Sequence, residues 1–273
     1  MATRANRPHT EEADQKQSPQ GKVVYRAVYR EGADELSRDS AALAWSGLAA
    51  GLSMGFSLLS EAFLRAHLPD TEWRPLLSKF GYSVGFLIVI LGRQQLFTEN
   101  TLTVILPLLR LKRGGVLANV ARLWVIVLTA NMAGALIFTA AIVFLPVLDP
   151  AVRTAVTSIG TESMSYGVWP VFARGIFAGW LIALMVWLLP FAETARVWVI
   201  IIITYIVGLG GFSHVIAGSA EVFALSWQGL EPWTATVGRY TLPALFGNTL
   251  GGVALVAALA HVQFIEGAEL LEP

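Results

Sequence analysis

A histidine stands inside a glycine-rich interruption of a long apolar stretch, in the segment GLGGFSHVIAGS at residues 208–219. His214 is one of four histidines, and no charged residue lies between Arg196 and Glu221. Imidazole changes its protonation near neutral pH, so a histidine here can exchange a proton with a weak acid. An ionisable group deep in an apolar stretch predicts a functional site, with a buried neutral histidine bonded to a carbonyl as the alternative.

A second interruption, GRQQLFTENTLT at residues 92–103, breaks another apolar stretch. Its polar side chains, Thr98 and Glu99 among them, either line a pathway or cap a broken helix. Arg93 and Arg174 also lie in apolar stretches, where an unpaired guanidinium costs about 2.5 to 3.5 kcal/mol on insertion scales. Structural ion pairing is the alternative role of both arginines, and the candidate partners are Glu99, Glu61 and Glu221, with Glu99 favoured for Arg93. For Arg174 we expect a place at a subunit interface or the lipid edge, about 140° around an ideal helix from Gly179.

The composition indicates a membrane protein. The chain has 273 residues, 55% hydrophobic residues, a mean hydropathy of +0.61 and only 14% charged residues. A net charge of zero without a long basic run in the apolar body argues against nucleic acid as a partner. The absence of cysteine excludes disulfides, thiolate catalysis and Cys-type metal sites, and the scattered histidines predict no metal site.

Six apolar segments predict an all-α polytopic protein that crosses the lipid bilayer six times. They cover residues 41–64, 80–109, 121–146, 171–191, 197–227 and 241–263. An even number of spans puts both termini on one side. Nine lysines and arginines on the tail side, Lys112 and Arg113 among them, against five on the other favour cytoplasmic termini.

The predicted organisation is a cytoplasmic polar tail at 1–40, a pore domain at 41–265 and a cytoplasmic C-terminal tail at 266–273. The first tail lacks the apolar core of a secretory signal. Its second half, from Lys22 to Ser40, predicts either an amphipathic helix at the membrane surface or a disordered leader.

The second and fifth segments are too long for one span. About 30 helical residues measure about 45 Å, against a hydrocarbon core of about 30 Å. We therefore expect each to break at its polar interruption. Non-helical backbone at this depth must be buried in protein or line a cavity, and the restarting half-helix directs its amide groups there. Such a cavity attracts anions.

Two halves, 41–146 and 171–263, share these features. GLAAG in the first segment matches GIFAG in the fourth, and NMAG in the third matches NTLG in the sixth. Three spans per half turn the second half upside down relative to the first. The sequence thus predicts an inverted repeat with a substrate site at the broken helices.

The motifs LFTENTL (96–102), ANMAGAL (130–136) and GFSHVIA (211–217) together resemble the formate/nitrite transporter family. The resemblance covers nearly all of residues 40 to 265. It implies an aquaporin-like fold assembled as a homopentamer in a bacterial cytoplasmic (inner) membrane, with one pore in each protomer for small monovalent weak-acid anions such as formate, nitrite, lactate or hydrosulfide. No enzyme activity and no cofactor are implied.

The resemblance also assigns pore residues. The family's central histidine falls on His214 and its loop threonine on Thr98, which follows Phe97 in the Leu-Phe-Thr element. Its outer aromatic constriction falls on Tyr82, and Phe86 lies near the inner constriction.

Several family residues are replaced here. The glutamate before the histidine is Ser213, and the asparagine four residues after the histidine is Gly218. The asparagine of the fourth span becomes Gly179, and the lysine before that span is missing near Glu162. Arg93, on the opposite half, is the candidate that restores the missing positive charge.

The predicted function is a channel or transporter for small weak-acid anions, with or without proton coupling through His214. One alternative is an aquaporin-like channel for neutral solutes, against which neither interruption carries the paired Asn-Pro-Ala element. The other is a non-conducting membrane scaffold that uses the N-terminal tail.

Overall fold

A computed structural model describes residues 21–111 and 114–267, which form helices and no strand. The α-helices are α1 Gly21–Ser37, α2 Ser40–His67, α3 Arg74–Ser78, α4 Ser83–Leu91, α5 Phe97–Thr103, α6 Ile105–Leu111, α7 Gly114–Phe144, α8 Pro150–Met164, α9 Val168–Leu188, α10 Arg196–Leu209, α11 Val215–Trp227, α12 Trp233–Ala235 and α13 Leu242–Gly267. Short 3₁₀ turns follow α9, and a π-helical segment, Thr236–Thr241, precedes α13. Residues 1–20 of the predicted N-terminal tail, residues 268–273 of the predicted C-terminal tail, and Lys112 and Arg113 lie outside the described residues.

Four helical stretches within the described residues are long and apolar enough to cross a membrane. They are Ser40–His67, Arg74–Leu91, Gly114–Phe144 and Val168–Phe191. Each stretch has 18 or more residues, which rise about 27 Å or more in a helix, close to the thickness of the hydrocarbon core of a bilayer. The predicted total of six spans also counts α10 with α11, and α13, and it stays a prediction.

The segment before the first span is helical. In α1, Tyr25 and Val28 are buried, and Gly32 fits against α5 so closely that a Cβ there would lie 2.0 Å from the carbonyl oxygen of Thr103. The segment is therefore helical, and its position at a membrane surface stays a prediction. It packs on α5 and α6, beside the first interruption.

Helix α8, Pro150–Met164, was not predicted, because its residues lie where the sequence suggests a connection. Its buried apolar residues recur at helical spacing among polar ones, at Val152, Ala155, Val156 and Ile159. The short apolar stripe is too weak for a span. It packs against α2 and α11 and places its last turn beside the second interruption.

Each half of the chain is built around one glycine-mediated helix pair, α2 with α7 and α9 with α13. A Cβ on Gly51 would lie 2.1 Å from the carbonyl oxygen of Asn131. On Gly179 it would lie 2.2 Å from the carbonyl oxygen of Asn248. Small residues allow this backbone approach, which explains the matching glycine motifs of the two halves.

Candidate functional site

Two of the apolar segments are interrupted by non-helical backbone, at residues 92–96 and 210–214, and the two interruptions begin with the same backbone conformation. Helices α4 and α10 both end in a residue with positive φ, Arg93 at 49° and Gly211 at 60°. The next amide then donates back to the helix, from Gln94 to the carbonyl of Val89 at 2.9 Å. The amide of Phe212 donates to the carbonyl of Val207 at 3.0 Å in the same way. Both helices thus end in a Schellman motif.

Two buried asparagines bond the non-helical backbone of the breaks. The amide nitrogen of Asn131 donates to the carbonyls of Gly47 and Gln95, and its side-chain oxygen accepts from the amide of Phe97 at 2.9 Å. Asn131 therefore ties the first break to α2. Its bonds with Gln95 and Phe97 satisfy backbone groups of the break that have no helical partner, and its bond with Gly47 anchors the side chain on α2.

Asn248 does the same for the second break. Its amide nitrogen donates to the carbonyls of Gly175 and Ser213, and its oxygen accepts from the amide of Val215 at 2.8 Å. The equivalence of the two asparagines explains the shared Asn-x-x-Gly motif.

His214 is fully buried and caps α11. Its Nδ1 accepts from the amides of Ile216 and Ala217 at 3.3 and 3.2 Å. Its Nε2 lies 2.8 Å from the hydroxyl oxygen of Thr98. With Nδ1 an acceptor, Nε2 carries the proton of the neutral ring and donates to Thr98. The structure thus brings the two breaks together through this pair.

Aromatic rings cover the histidine on one side. The ring of Phe86 meets the His214 ring edge-on with centroids 4.9 Å apart, and Tyr82 lies 5.5 Å from Phe86. All three side chains are buried. They form an apolar barrier beside the imidazole.

Cavities lie on both sides of this barrier. The cavity on the side away from the N-terminal tail, the far-side cavity, has a volume of about 230 Å³ and is lined by Tyr82 and Ser213, among others. The tail-side cavity has a volume of about 540 Å³ and is lined by α1, Ile90 and Gln95, among others. Ser213 and Gln95 hold equivalent places in the two breaks, so each break contributes a polar residue to one cavity.

Three predicted pore residues serve packing in the structure. The ring of Phe97 stacks edge-on against Trp124, 5.8 Å away. Gly179 packs on the backbone of α13, as described above. Gly218 makes room for Tyr240, whose hydroxyl oxygen would lie 1.8 Å from a Cβ at that position. Tyr240 therefore fills the space next to Gly218 and faces the far-side cavity.

Neither arginine lies where the sequence suggested. Arg93 is exposed on the tail-side cavity, with no ion pair to Glu99, so it does not reach the far side. Arg174 lies on the far-side cavity, where it donates to the carbonyl of Gly211 at 3.2 Å and covers the ring of Tyr166. Gly179, the reference for the expected position of Arg174, packs on the backbone of α13.

Sequence reasoning missed the charged lining of the far-side cavity. Lys79 and Glu221 reach it from opposite halves, together with Tyr240. The available signal was Glu221 itself, a carboxylate seven residues after His214 and hence on nearly the same face of α11.

Comparisons with known proteins agree with this geometry. The family model for the formate/nitrite transporter matches residues 22–262. The inner membrane protein YfdC of Escherichia coli K12 is 39% identical over 88% of this chain and 78% of its own length. The nitrite transporter NirC of the same organism is 26% identical over 77% of this chain and 79% of its own length.

Solved structures share the fold. One described as an FNT family ion channel matches with a TM-score of 0.74 at 21% identity, over 88% of this chain and 99% of that chain. A pentameric formate channel with formate bound matches with a TM-score of 0.67 at 17% identity, over 83% of this chain and 98% of that chain. The family model spans most of the chain, and the identity to YfdC exceeds 30% over most of both proteins. This chain therefore belongs to the formate/nitrite transporter family.

Proposed function

We propose that the protein conducts small monovalent anions of weak acids, such as formate or nitrite, across a membrane. The observation that carries this is the contact between the two helix breaks at the fully buried His214 and Thr98, with a cavity on either side. The positive dipole ends of α5 and α11 lie at this contact and favour a negative charge there. The names of the relatives NirC and the formate channel support the same substrate class.

In this proposal the pore runs past Tyr82 and Phe86 to His214 and Thr98, and Ser213 borders it on the far side. The Nε2 proton of His214, shared with Thr98, is the donor available to a passing anion or acid. Gly179, Gly218 and Phe97 shape the wall through the helices that they pack. Arg93 stands at the tail-side mouth, where it attracts anions through water.

Proton exchange at His214 stays a prediction from the sequence, and the hydrogen bonds of the ring oppose it. For the imidazole to gain a proton, Nδ1 must release the amides of Ile216 and Ala217. That release removes the cap of α11, so the neutral donor ring is the form that the hydrogen bonds favour. His214→Asn keeps a capping side chain and removes titration, so it tests this point directly.

We also propose six spans in an inverted repeat, a homopentamer, and both termini in the cytoplasm of a bacterial inner membrane. The paired roles of Asn131 and Asn248 support the repeat, and the pentameric formate channel supports the assembly. YfdC supports the membrane, since it is described as an inner membrane protein. Because the chain has no cysteine, single cysteines at Ala33 and Ala258 report the sidedness, and native mass spectrometry reports the subunit number.

The test is uptake of ¹⁴C-formate and of nitrite into liposomes that contain the purified protein, at pH 6 and pH 8. Light-scattering assays with glycerol and urea run in parallel. Anion uptake above that of empty liposomes supports the proposal. Uptake of neutral solutes alone indicates the aquaporin-like alternative, and no flux at all indicates the scaffold. With His214→Asn, an altered pH profile supports titration of the ring, and an unchanged profile contradicts it.

A further inference from the structure

Six charged side chains lie at or beside the far-side cavity, and four of them form two ion pairs. The ammonium of Lys79 lies 2.5 Å from a carboxylate oxygen of the fully buried Glu61. Arg65 donates two bonds of 2.7 and 2.9 Å to Glu162. Among the described residues Arg174 has no carboxylate partner, and it donates to the carbonyl of Gly211 instead.

Glu221 is the carboxyl left over. It is 6% exposed, lies in the middle of α11 and lines the cavity. Its hydrogen-bond partner is the hydroxyl of Ser163 at the end of α8. Among the described residues no cation lies within salt-bridge distance of it. A buried carboxylate without a cation is costly, and binding a proton removes that cost.

The position of Glu221 relates it to the pore. It follows His214 by seven residues, which is two helical turns or about 10 Å along the same face of α11. Gly218 lies between them and leaves space for the hydroxyl of Tyr240. A species that moves from the cavity toward His214 therefore passes Glu221 first.

We propose that Glu221 is the group that protonates the permeating anion. The inference rests on the proposed function, and it assigns the proton donor to Glu221 rather than to His214. Arg174, which lines the cavity without an ion pair among the described residues, draws the anion in, and an ionised Glu221 would repel it, so the anion approaches when the carboxyl is protonated.

The transfer balances without any further reactant. The O–H bond of the Glu221 carboxylic acid breaks, the proton binds the anion, and a neutral acid and a Glu221 carboxylate remain. The neutral acid crosses the barrier of Phe86 and His214, where an anion would lose its hydration. Water on the far side returns a proton to Glu221. One proton thus accompanies each anion.

Other titratable and charged groups also face this carboxyl. They are Glu61 and Arg65 of α2, Lys79 and Tyr82 before α4, Glu162 of α8, Arg174 of α9 and Tyr240 before α13. The pairing of Glu61 with Lys79 and of Glu162 with Arg65 holds four of these as ions. Glu221 is the acid in the group that can change its charge without breaking an ion pair.

The experiment compares native protein with Glu221→Gln in liposomes that hold a pH-sensitive dye, with ¹⁴C-formate outside. The amide still accepts from Ser163, so the variant keeps the fold. Native protein should carry one proton per formate. In the variant only acid formed in bulk water crosses, so its flux should fall about tenfold per pH unit between pH 6 and pH 8, more steeply than native flux. At pH 7 we expect a loss of about 10²-fold.

Glu221→Asp keeps a titrating carboxyl and should restore part of the flux at pH 7. Glu162→Gln removes a carboxylate from the same cavity and should keep the native pH profile, whatever its rate. Glu72→Gln, on an exposed connection, is the control for mutation alone. If Glu221→Gln shows the native pH profile, the inference is wrong while the proposed function stands. If native protein moves no formate, the proposed function and the inference fall together.

Discussion

The two breaks use the same backbone frame and different side chains. Each begins with a Schellman motif and is tied to a neighbouring helix by one asparagine with three hydrogen bonds. They differ at the residue before the new helix, which is Leu96 in the first break and His214 in the second. Leu96 has no capping side chain, whereas the imidazole caps α11 and reaches Thr98 of the other half.

The surroundings of the breaks differ as well. Helix α1 covers the first break on the tail side, where Glu35 accepts from Gln95 and Thr103 at 3.2 and 2.6 Å. The second break borders the far-side cavity directly. The shared hydrogen bonds therefore hold the backbone of both breaks, and the proposed transport depends on the residues that differ between them.

The largest effects should come from the asparagines. Asn131→Ala or Asn248→Ala removes three hydrogen bonds and leaves buried carbonyls without donors. Each change should lower the free energy of unfolding by at least about 2 kcal/mol, even with the small values of hydrogen bonds in membranes. The midpoint of unfolding in SDS measures this. Asn119→Ala, on the exposed face of α7, is the matched control and should change little. If Asn131→Ala and Asn248→Ala lower the stability by clearly different amounts, the two halves do not depend equally on their asparagines, although the hydrogen bonds are equivalent.

The helix-pairing glycines should come next. Gly51→Ala and Gly179→Ala both place a Cβ near 2 Å from a backbone carbonyl, so α2 and α9 must shift away from their partners. We expect similar losses of about 1 to 3 kcal/mol in both halves, measured by the same unfolding assay. Gly238→Ala meets nothing within 4 Å and serves as the control. If Gly179→Ala leaves the free energy of unfolding unchanged, Gly179 does not pack tightly on α13, and the prediction that it lines the pore is favoured.

The sequence predicted the frame well because its signals are local or repeated. Glycines and polar residues interrupt apolar segments at 92–103 and 208–219, and the observed breaks at 92–96 and 210–214 fall inside these segments. The Asn-x-x-Gly repeats also marked functional equivalents, since Asn131 and Asn248 make the same three bonds.

The lining of the cavities was harder to predict because it depends on tertiary packing. Tyr240 fills the space beside Gly218 from a distant π-helical segment, and Lys79 arrives from the other half of the chain. No spacing along one helix reports such contacts. The glycines that replace family asparagines at 179 and 218 indicated that polar groups are lost. They did not indicate that Tyr240 fills the space beside Gly218.

A smaller effect should come from the cover of the first break. Burial raises the pKa of the Glu35 carboxyl from 4.5 to about 7, a rise that Glu31 reinforces and the bonds from Thr103 and Gln95 oppose. Docked α1 therefore holds a proton that undocked α1 releases. Docking should be strongest below about pH 4.5, weaken as the pH rises to about 7, and stay constant above that.

Hydrogen exchange of the α1 amides, corrected for its intrinsic pH dependence, measures the docking. Because Glu35 is only half-buried, we expect a change of about 1 to 2 kcal/mol, less than the full shift would give. Glu35→Gln should remove the pH dependence. Glu31→Gln, one turn away and exposed, should keep most of it. Equal protection at pH 5 and pH 8 in native protein would show that Glu35 does not control the cover.

The smallest effect concerns the position with positive φ in each break, which is Arg93 in the first and Gly211 in the second. Both have positive φ, which costs a side chain about 1 kcal/mol and glycine nothing. Arg93→Gly should therefore stabilise the protein by about 0.5 to 1 kcal/mol in the unfolding assay. It also removes a charge from the tail-side mouth without moving the backbone. Arg93→Gln removes the same charge and keeps the strain, so the pair separates the two contributions.

If Arg93 attracts anions through water, both variants should raise the half-saturation concentration for formate added on the tail side, most clearly at low salt. A stabilised Arg93→Gly with unchanged formate kinetics would leave the arginine without a role in transport and make the two breaks differ in chemistry only around His214.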